Sequence, residues 1–138
     1  MALTAAYLAD KSALARFTVP AVERRLRPLF EDGMVATCAI IDLEVMYSAR
    51  SLSDYEAVRA ERRAFEDVPL TPQVMARALA IQHALTRVGH HRVAIPDLII
   101  AAAAESASLT VLHYDADFEQ IANVSDLPHE WVVKRGSL

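Results

Sequence analysis

Four acidic residues of this 138-residue chain stand beside apolar runs, where a need for solubility does not explain them. Asp10 and Asp115 each follow such a run. Asp97 precedes one, and Glu44 shares a helical face with apolar neighbours. Carboxylates that meet raise one another's pKa or require a cation, and ligation by oxygen alone selects a hard ion such as Mg²⁺ or Mn²⁺. These acids therefore predict a metal site if the fold makes them converge.

A metal held by carboxylates is well suited to cutting phosphodiester bonds, because one or two ions activate a water and stabilise the leaving oxygen. Each acid taken alone also has a plainer interpretation. Asp10 and Asp97 can be helix N-caps, Asp115 a turn residue, and Glu44 a solvated helix residue. Four acids that each adjoin a buried run at one predicted edge favour a nuclease over four unrelated caps and turns.

Short apolar strands alternate with helical segments along the chain. We predict strands at 5–9, 34–38, 109–113 and 131–133, a short strand or extended link at 68–70, and helices at 13–17, 21–30, 40–50, 53–65, 73–88, 96–106 and 117–121. This alternation predicts an α/β fold, a three-layer α/β/α sandwich with a mostly parallel, roughly five-stranded sheet. Such sheets bind ligands beyond the C-terminal ends of their strands, where Asp10 and Asp115 fall.

Composition predicts one compact domain over residues 1–138 in a reducing compartment. Hydrophobic residues make up 54% of the chain and charged residues 23%, which excludes a disordered protein. Cys38 is the single cysteine, so an intrachain disulfide and a cysteine-rich zinc site are excluded. The apolar start lacks a basic segment, and the most apolar stretch, 93–104, is shorter than the roughly 20 residues of a membrane span. We expect a cytoplasmic protein without a membrane anchor.

Four segments resemble the PIN-domain ribonucleases and, among them, the VapC-type toxins of toxin–antitoxin pairs. They are YLADKSAL at 7–14, IDLE at 41–44, IPDLIIAAAA at 95–104 and LHYDADF at 112–118. The four motifs occur in the family's order, and the resemblance extends from residue 7 to about residue 131. It implies a PIN-like nuclease domain that hydrolyses RNA with Mg²⁺, for which Mn²⁺ substitutes, and that thereby inhibits growth and translation.

The resemblance also assigns roles to individual side chains. It implies that the metal and the catalysis depend on Asp10, Glu44, Asp97 and Asp115, with Asp117 as a fifth metal ligand. It further implies that substrate or water is positioned by Ser12, Thr37 and Lys11. Lys11 stands where the family usually has threonine, and a lysine there is able to touch a phosphate.

The implied partners are RNA, a second copy of the chain and a VapB-like antitoxin. The antitoxin's C-terminal segment is expected to occupy a groove and to offer an arginine to the acidic site. The formal net charge of −4 argues against a polyanion partner at first sight. Neutralisation of five acids by metal changes it to +1, and arginines cluster at 24–27 and 59–63.

Other classes fit the sequence less well. Glycines occur only at 33, 89 and 136, so no dinucleotide, nucleotide or esterase glycine motif is present. Arg77 and His83 have the spacing of the HEPN ribonuclease motif, but that family is all-helical. A phosphoacceptor receiver domain needs an acidic pair where Lys11 follows Asp10. A PIN-like module that binds RNA or protein without catalysis stays open, although the retention of every acid speaks against it.

Overall fold

Five short strands form one sheet in which every neighbouring pair runs parallel. The computed structural model describes residues 3–138. In spatial order β3-β2-β1-β4-β5, the strands are β1 Tyr7–Ala9, β2 Val35–Thr37, β3 Glu66–Asp67, β4 Thr110–His113 and β5 His129–Trp131. The predicted α/β fold with a five-stranded, mostly parallel sheet is confirmed.

Helices connect these strands, as parallel pairing requires. Within residues 3–138 they are α1 Lys11–Leu14, α2 Pro20–Glu31, α3 Ala39–Tyr47, α4 Leu52–Arg62, α5 Pro72–Arg87, α6 Ile95–Ala107 and α7 Asp117–Asn123. Three of these helices, α2, α5 and α6, carry a proline in their first turn, where its fixed φ angle suits the helix and its missing N–H is not needed. No helix in the described part of the chain is both long and apolar enough to cross a bilayer.

Side chains alternate between the two faces of the sheet and build a separate core on each. Leu8 of β1 belongs to the cluster that contains Ile81 of α5 and Ile100 of α6. Its neighbour Ala9 belongs to the cluster that contains Leu26 of α2. Because successive strand residues point to opposite faces, the sheet is covered by helices on both sides. This arrangement gives the three layers that the sequence predicted.

The central strand β1 is the point at which the connections change direction. From β1 the chain builds β2 and β3 on one side, and it later adds β4 and β5 on the other side. A crevice forms where such a reversal occurs, beyond the C-terminal ends of the two strands that flank it. In this fold that place is the end of β1 and β4, next to Asp10 and Asp115.

Two strands lie two residues earlier than the sequence indicated. The segment predicted at 68–70 is β3 at Glu66–Asp67, because pairing with β2 ends when the Val68 N–H donates to the Thr37 carbonyl and Pro69 offers no N–H. The strand predicted at 131–133 is β5 at His129–Trp131, because its partner β4 ends at His113. Both predictions followed the apolar residues, whereas the pairing also uses the polar residues that precede them.

Candidate metal centre

Asp10 stands at the junction of the central strand and the first helix. Its backbone N–H donates to the Leu112 carbonyl oxygen at 2.8 Å, which continues the pairing of β1 with β4. Its Oδ2 accepts a hydrogen bond from the Ser12 N–H at 3.0 Å, so Asp10 rather than Ser12 caps α1. The carboxylate is buried. The plain N-cap interpretation therefore holds for this residue.

Three further carboxylates meet beside the end of β4. Asp97, Asp115 and Asp117 each place one oxygen within 4.8 Å of the other two. Asp97 is buried in the first turn of α6, where its backbone N–H donates to the Ala94 carbonyl and its side chain does not act as the cap. Asp117 opens α7, and its N–H donates to Asp115 Oδ1 at 2.9 Å. These three carboxylates would be the residues that hold a small cation at this place.

The electrostatics of the crevice reach Asp10 and Glu44 as well. Burial, followed by the charges of Asp10, Asp115 and Asp117, raises the pKa of Asp97 to about 9. Burial is also the main cause that raises the pKa of Asp10. The pKa of Glu44 is raised by burial and then by the charges of Asp10 and Asp115. The five predicted acids therefore share one negative field.

Two oxygen atoms in this field have no hydrogen-bond partner among residues 3–138. They are Oε1 of Glu44, which enters from α3, and Oδ2 of Asp97, and both are buried. A buried carboxylate oxygen without a donor is costly, and a hard cation is the partner that such oxygens accept. The donor set is made of carboxylates alone, with no histidine or cysteine in the group. These residues fit Mg²⁺ or Mn²⁺.

The predicted Ser12 and Lys11 lie next to the acids. The Ser12 hydroxyl oxygen accepts a hydrogen bond from the Tyr114 N–H at 2.8 Å, and so joins the start of α1 to the loop that carries Asp115. The charge of Lys11 lowers the pKa of Glu44, against the larger effect of burial. Lys11 is therefore close to the crevice, as its predicted role requires.

Thr37 is engaged elsewhere. Its buried hydroxyl donates to Asp42 Oδ1 at 2.8 Å and accepts from Arg62 Nη2 at 2.7 Å. Arg62 Nε donates to the same Asp42 oxygen at 2.9 Å, and the guanidinium lies 4.6 Å from the centre of the Phe65 ring. This network ties α4 to the start of α3. It also means that Arg62, counted with the arginine clusters in the sequence, is buried.

Sequence reasoning missed His113, the last residue of β4. It is fully buried, its Nδ1 accepts from the Asp115 N–H at 3.1 Å, and its Nε2 lies 2.9 Å from His129 Nδ1. Burial, and secondarily the charge of His129, lowers the pKa of His113 to about 4. The available signal was a polar residue at the end of a buried strand, two positions before an acid. By contrast, His83, which the sequence placed in a ribonuclease-like spacing with Arg77, is exposed.

One cavity is lined by an acid of the cluster, and a second, larger cavity is lined by none. A small one of about 230 Å³ is lined by the 89–93 loop together with Asp117 and Gln120. A larger one of about 710 Å³ is mostly apolar and is lined by residues from α1 to β3, including Leu14, Val45 and Val58. Leu14, in the lining of the apolar cavity, lies on α1, the helix that Asp10 caps.

Comparisons with known proteins agree with this geometry. Residues 7–124 match the family model described as PIN domain. The chain is 51% identical over 137 residues to "Ribonuclease VapC21" of Mycobacterium tuberculosis, covering 98% of this chain and 99% of that one. It is 44% identical over 132 residues to "Ribonuclease VapC51" of the same species, covering 96% of each chain.

Two solved structures share the fold at low sequence identity. DNA-bound VapBC from Salmonella typhimurium matches with a TM-score of 0.74 at 19% identity, over 96% of this chain and 100% of that one. VapBC2 from Rickettsia felis, bound to a DNA fragment from its promoter, matches with a TM-score of 0.73 at 14% identity, over 91% of this chain and 98% of that one. The resemblance extends over nearly the whole chain.

Proposed function

The chain belongs to the PIN-domain family, among the VapC ribonucleases, and from that premise we propose that it is a metal-dependent endoribonuclease and the toxin of a toxin–antitoxin pair. The observation that carries the proposal is the crevice of buried carboxylates, two oxygens of which have no partner within residues 3–138. Without a bound cation, a cluster of buried carboxylates would destabilise the protein, because no partner would compensate for their burial.

Four acids would hold Mg²⁺, or Mn²⁺ in its place: Asp10, Glu44, Asp97 and Asp115. When bound, the ion supplies Lewis-acid chemistry at a phosphodiester and lowers the pKa of a nearby water. The Asp117 N–H would fix the orientation of the Asp115 carboxylate, because it donates to Asp115 Oδ1. The carboxylate of Asp117 would be a fifth ligand. Cleavage is expected to leave 5′-phosphate and 3′-hydroxyl ends.

RNA would be held by cationic side chains near the acids. Lys11 is close enough to Glu44 to affect its pKa. Arg92 lines the cavity that Asp117 also lines. Cationic side chains at these places bind backbone phosphates irrespective of sequence, so they would position the strand rather than select it.

An antitoxin would occupy the apolar cavity of about 710 Å³ between α1, α2 and α4. Its lining of Leu14, Phe17, Phe30, Val45, Val58 and Phe65 suits the apolar face of a VapB-like segment. An arginine that continues from this segment past α1 would meet the acidic crevice and neutralise it. Inhibition by the antitoxin would therefore block the metal site directly.

A homodimer and a cytoplasmic location complete the proposal. Leu43 and Tyr47 of α3 and Leu52 of α4 are large apolar side chains left exposed, which suits burial against a second copy. The size of the particle in solution, measured by light scattering, tests the homodimer. A reducing compartment agrees with Cys38 being the only cysteine.

The test is cleavage of total RNA by the purified, antitoxin-free protein with Mg²⁺, with Mn²⁺ and with EDTA, followed by mapping of the ends. The Asp97→Asn variant, purified in parallel, controls for a contaminating nuclease. Cleavage that needs metal and disappears in the variant is expected. If both proteins are folded and equally inert on every RNA class, the enzyme proposal fails and a catalytically silent binding module replaces it.

A further inference from the structure

Side chains hold the backbone of the loop that carries Asp115. The Tyr114 N–H donates to Ser12 Oγ at 2.8 Å, the Asp115 N–H donates to His113 Nδ1 at 3.1 Å, and the Asp117 N–H donates to Asp115 Oδ1 at 2.9 Å. Of these three hydrogen bonds, the one to His113 is donated by the backbone N–H of Asp115 itself. The position of this residue therefore depends on an imidazole nitrogen that accepts.

His113 is itself fixed in place. It is 0% exposed, and its ring centre lies 4.9 Å from those of Phe118 and Trp131. Because Nδ1 accepts from a backbone N–H, it carries no proton, and the proton of the neutral ring must be on Nε2. That Nε2–H then donates to His129 Nδ1 at 2.9 Å. His129 thus holds the one tautomer of His113 that can support Asp115.

We propose that His113 is a positioning residue for the metal ligand Asp115, acting through Nδ1, and that His129 fixes its tautomer. The inference rests on the proposed metal site. The imidazole does not touch the ion. Its effect passes through the Asp115 N–H, in the way that partners behind a metal ligand typically set its orientation and alter metal affinity by 10- to about 100-fold.

A matched pair of variants separates positioning from packing. His113→Asn and His113→Leu remove the same ring and introduce side chains of nearly equal size, but only asparagine offers an oxygen at the place of Nδ1. The affinity for Mn²⁺, followed by electron paramagnetic resonance in the full chain without RNA, is the readout. His83→Asn, on the exposed surface of α5, controls for loss of a histidine. Melting temperatures of all four proteins report folding.

We expect the leucine variant to bind Mn²⁺ about tenfold more weakly than wild type, and the asparagine variant to recover most of that loss. Equal affinities of the two variants would overturn the positioning role while leaving the metal site intact. Failure of the wild-type protein to bind Mn²⁺ would instead overturn the proposed function, and this inference with it.

A second measurement needs neither a variant nor a metal. Nitrogen-15 chemical shifts of the His113 ring in the wild-type protein distinguish a proton on Nε2 from a proton on Nδ1. The inference requires the Nε2–H form in the wild-type protein. A proton on Nδ1 in the wild-type protein contradicts the inference even if every variant fails to fold.

Discussion

An oxygen of Asp97 lies within 4.8 Å of an oxygen of Asp115, although the two residues are 18 positions apart in the sequence. Asp97 lies at the start of α6, and Asp115 follows the end of β4. Two carboxylates at this distance repel one another in the folded chain and are far apart in the unfolded chain. Their proximity therefore costs stability unless a cation offsets it, and this cost can be measured in the metal-free protein.

Addition of Mg²⁺ should stabilise the wild-type protein. An ion that binds only the folded state adds about 2.7 kcal/mol to the free energy of unfolding at a concentration 100 times its Kd. The Asp97→Asn variant should be more stable than wild type in EDTA, since asparagine does not have to take up a proton to be buried there, and it should gain little from Mg²⁺. Thermal unfolding with and without the ion measures both effects, and an equal response of the two proteins would contradict them.

Stability of the metal-free protein should fall as the pH rises from about 7 to about 9. Burial raises the pKa of Asp97 to about 9, whereas its carboxyl in the unfolded chain ionises near its ordinary value. The contribution of Asp97 to the free energy of unfolding is therefore fully present below its pKa in the unfolded chain. It is lost as the pH rises through its pKa in the folded protein. His113, whose pKa is lowered to about 4, is neutral in the folded protein over this range and mostly neutral in the unfolded chain, so its own contribution is small.

Urea unfolding in EDTA at several pH values tests this dependence. The Asp97→Asn variant is the control, since it keeps Asp10 and Glu44 but lacks the group with the largest shift. Its stability should change less between about pH 7 and about pH 9 than that of wild type. Parallel curves for the two proteins would rule out Asp97 as the source.

Arg62→Ala should lower the free energy of unfolding by about 3 kcal/mol, because it leaves Asp42 and the Thr37 hydroxyl without their cationic partner in a mostly buried place. The neighbouring Arg63 is exposed, so Arg63→Ala is a control that should change stability by less than about 0.5 kcal/mol. Equilibrium denaturation of the two variants gives the comparison. Similar losses in the free energy of unfolding for the two variants would show that the Arg62 network does not stabilise the fold.

Thr37→Val tests the role that the family resemblance implies for this residue. The hydroxyl is engaged by Asp42 and Arg62, so its loss should cost about 1 kcal/mol of stability and should leave RNA cleavage within about threefold of wild type. Ser12→Ala, which frees the Tyr114 N–H beside the acids, should reduce cleavage more. A large loss of cleavage in Thr37→Val at unchanged stability would instead support positioning of water or substrate.

Val58→Asp should prevent antitoxin binding while RNA cleavage persists. Val58 is half-buried in the apolar cavity, and a carboxylate there would be desolvated under an apolar partner segment, which should raise the Kd at least about 100-fold. Val88→Asp, at an exposed position after α5, is the matched control. Calorimetry with the cognate antitoxin measures affinity. Unchanged binding by Val58→Asp would place the antitoxin elsewhere on the surface.

Local pattern determined much of this protein. Runs such as 109–113 are too apolar to be anything but buried, prolines at 20, 72 and 96 mark helix starts, and four acids next to such runs already indicated a metal-dependent hydrolase. Parallel strands end at a common edge, so the convergence of Asp10 and Asp115 followed from chain direction alone. These features depend on neighbours within a few positions along the chain.

Other features depended on residues far apart in sequence, and only the tertiary structure decided them. Strand pairing moved β3 and β5 onto polar residues, because backbone hydrogen bonds rather than side-chain polarity define a strand. Arg62 reaches back 25 residues to Thr37, which buries Arg62 and engages the Thr37 hydroxyl in a network that the sequence did not predict. His113 looked like an ordinary strand residue until β5 brought His129 against it. Which polar group finds which partner is set by packing over long chain separations, and no local pattern encodes it.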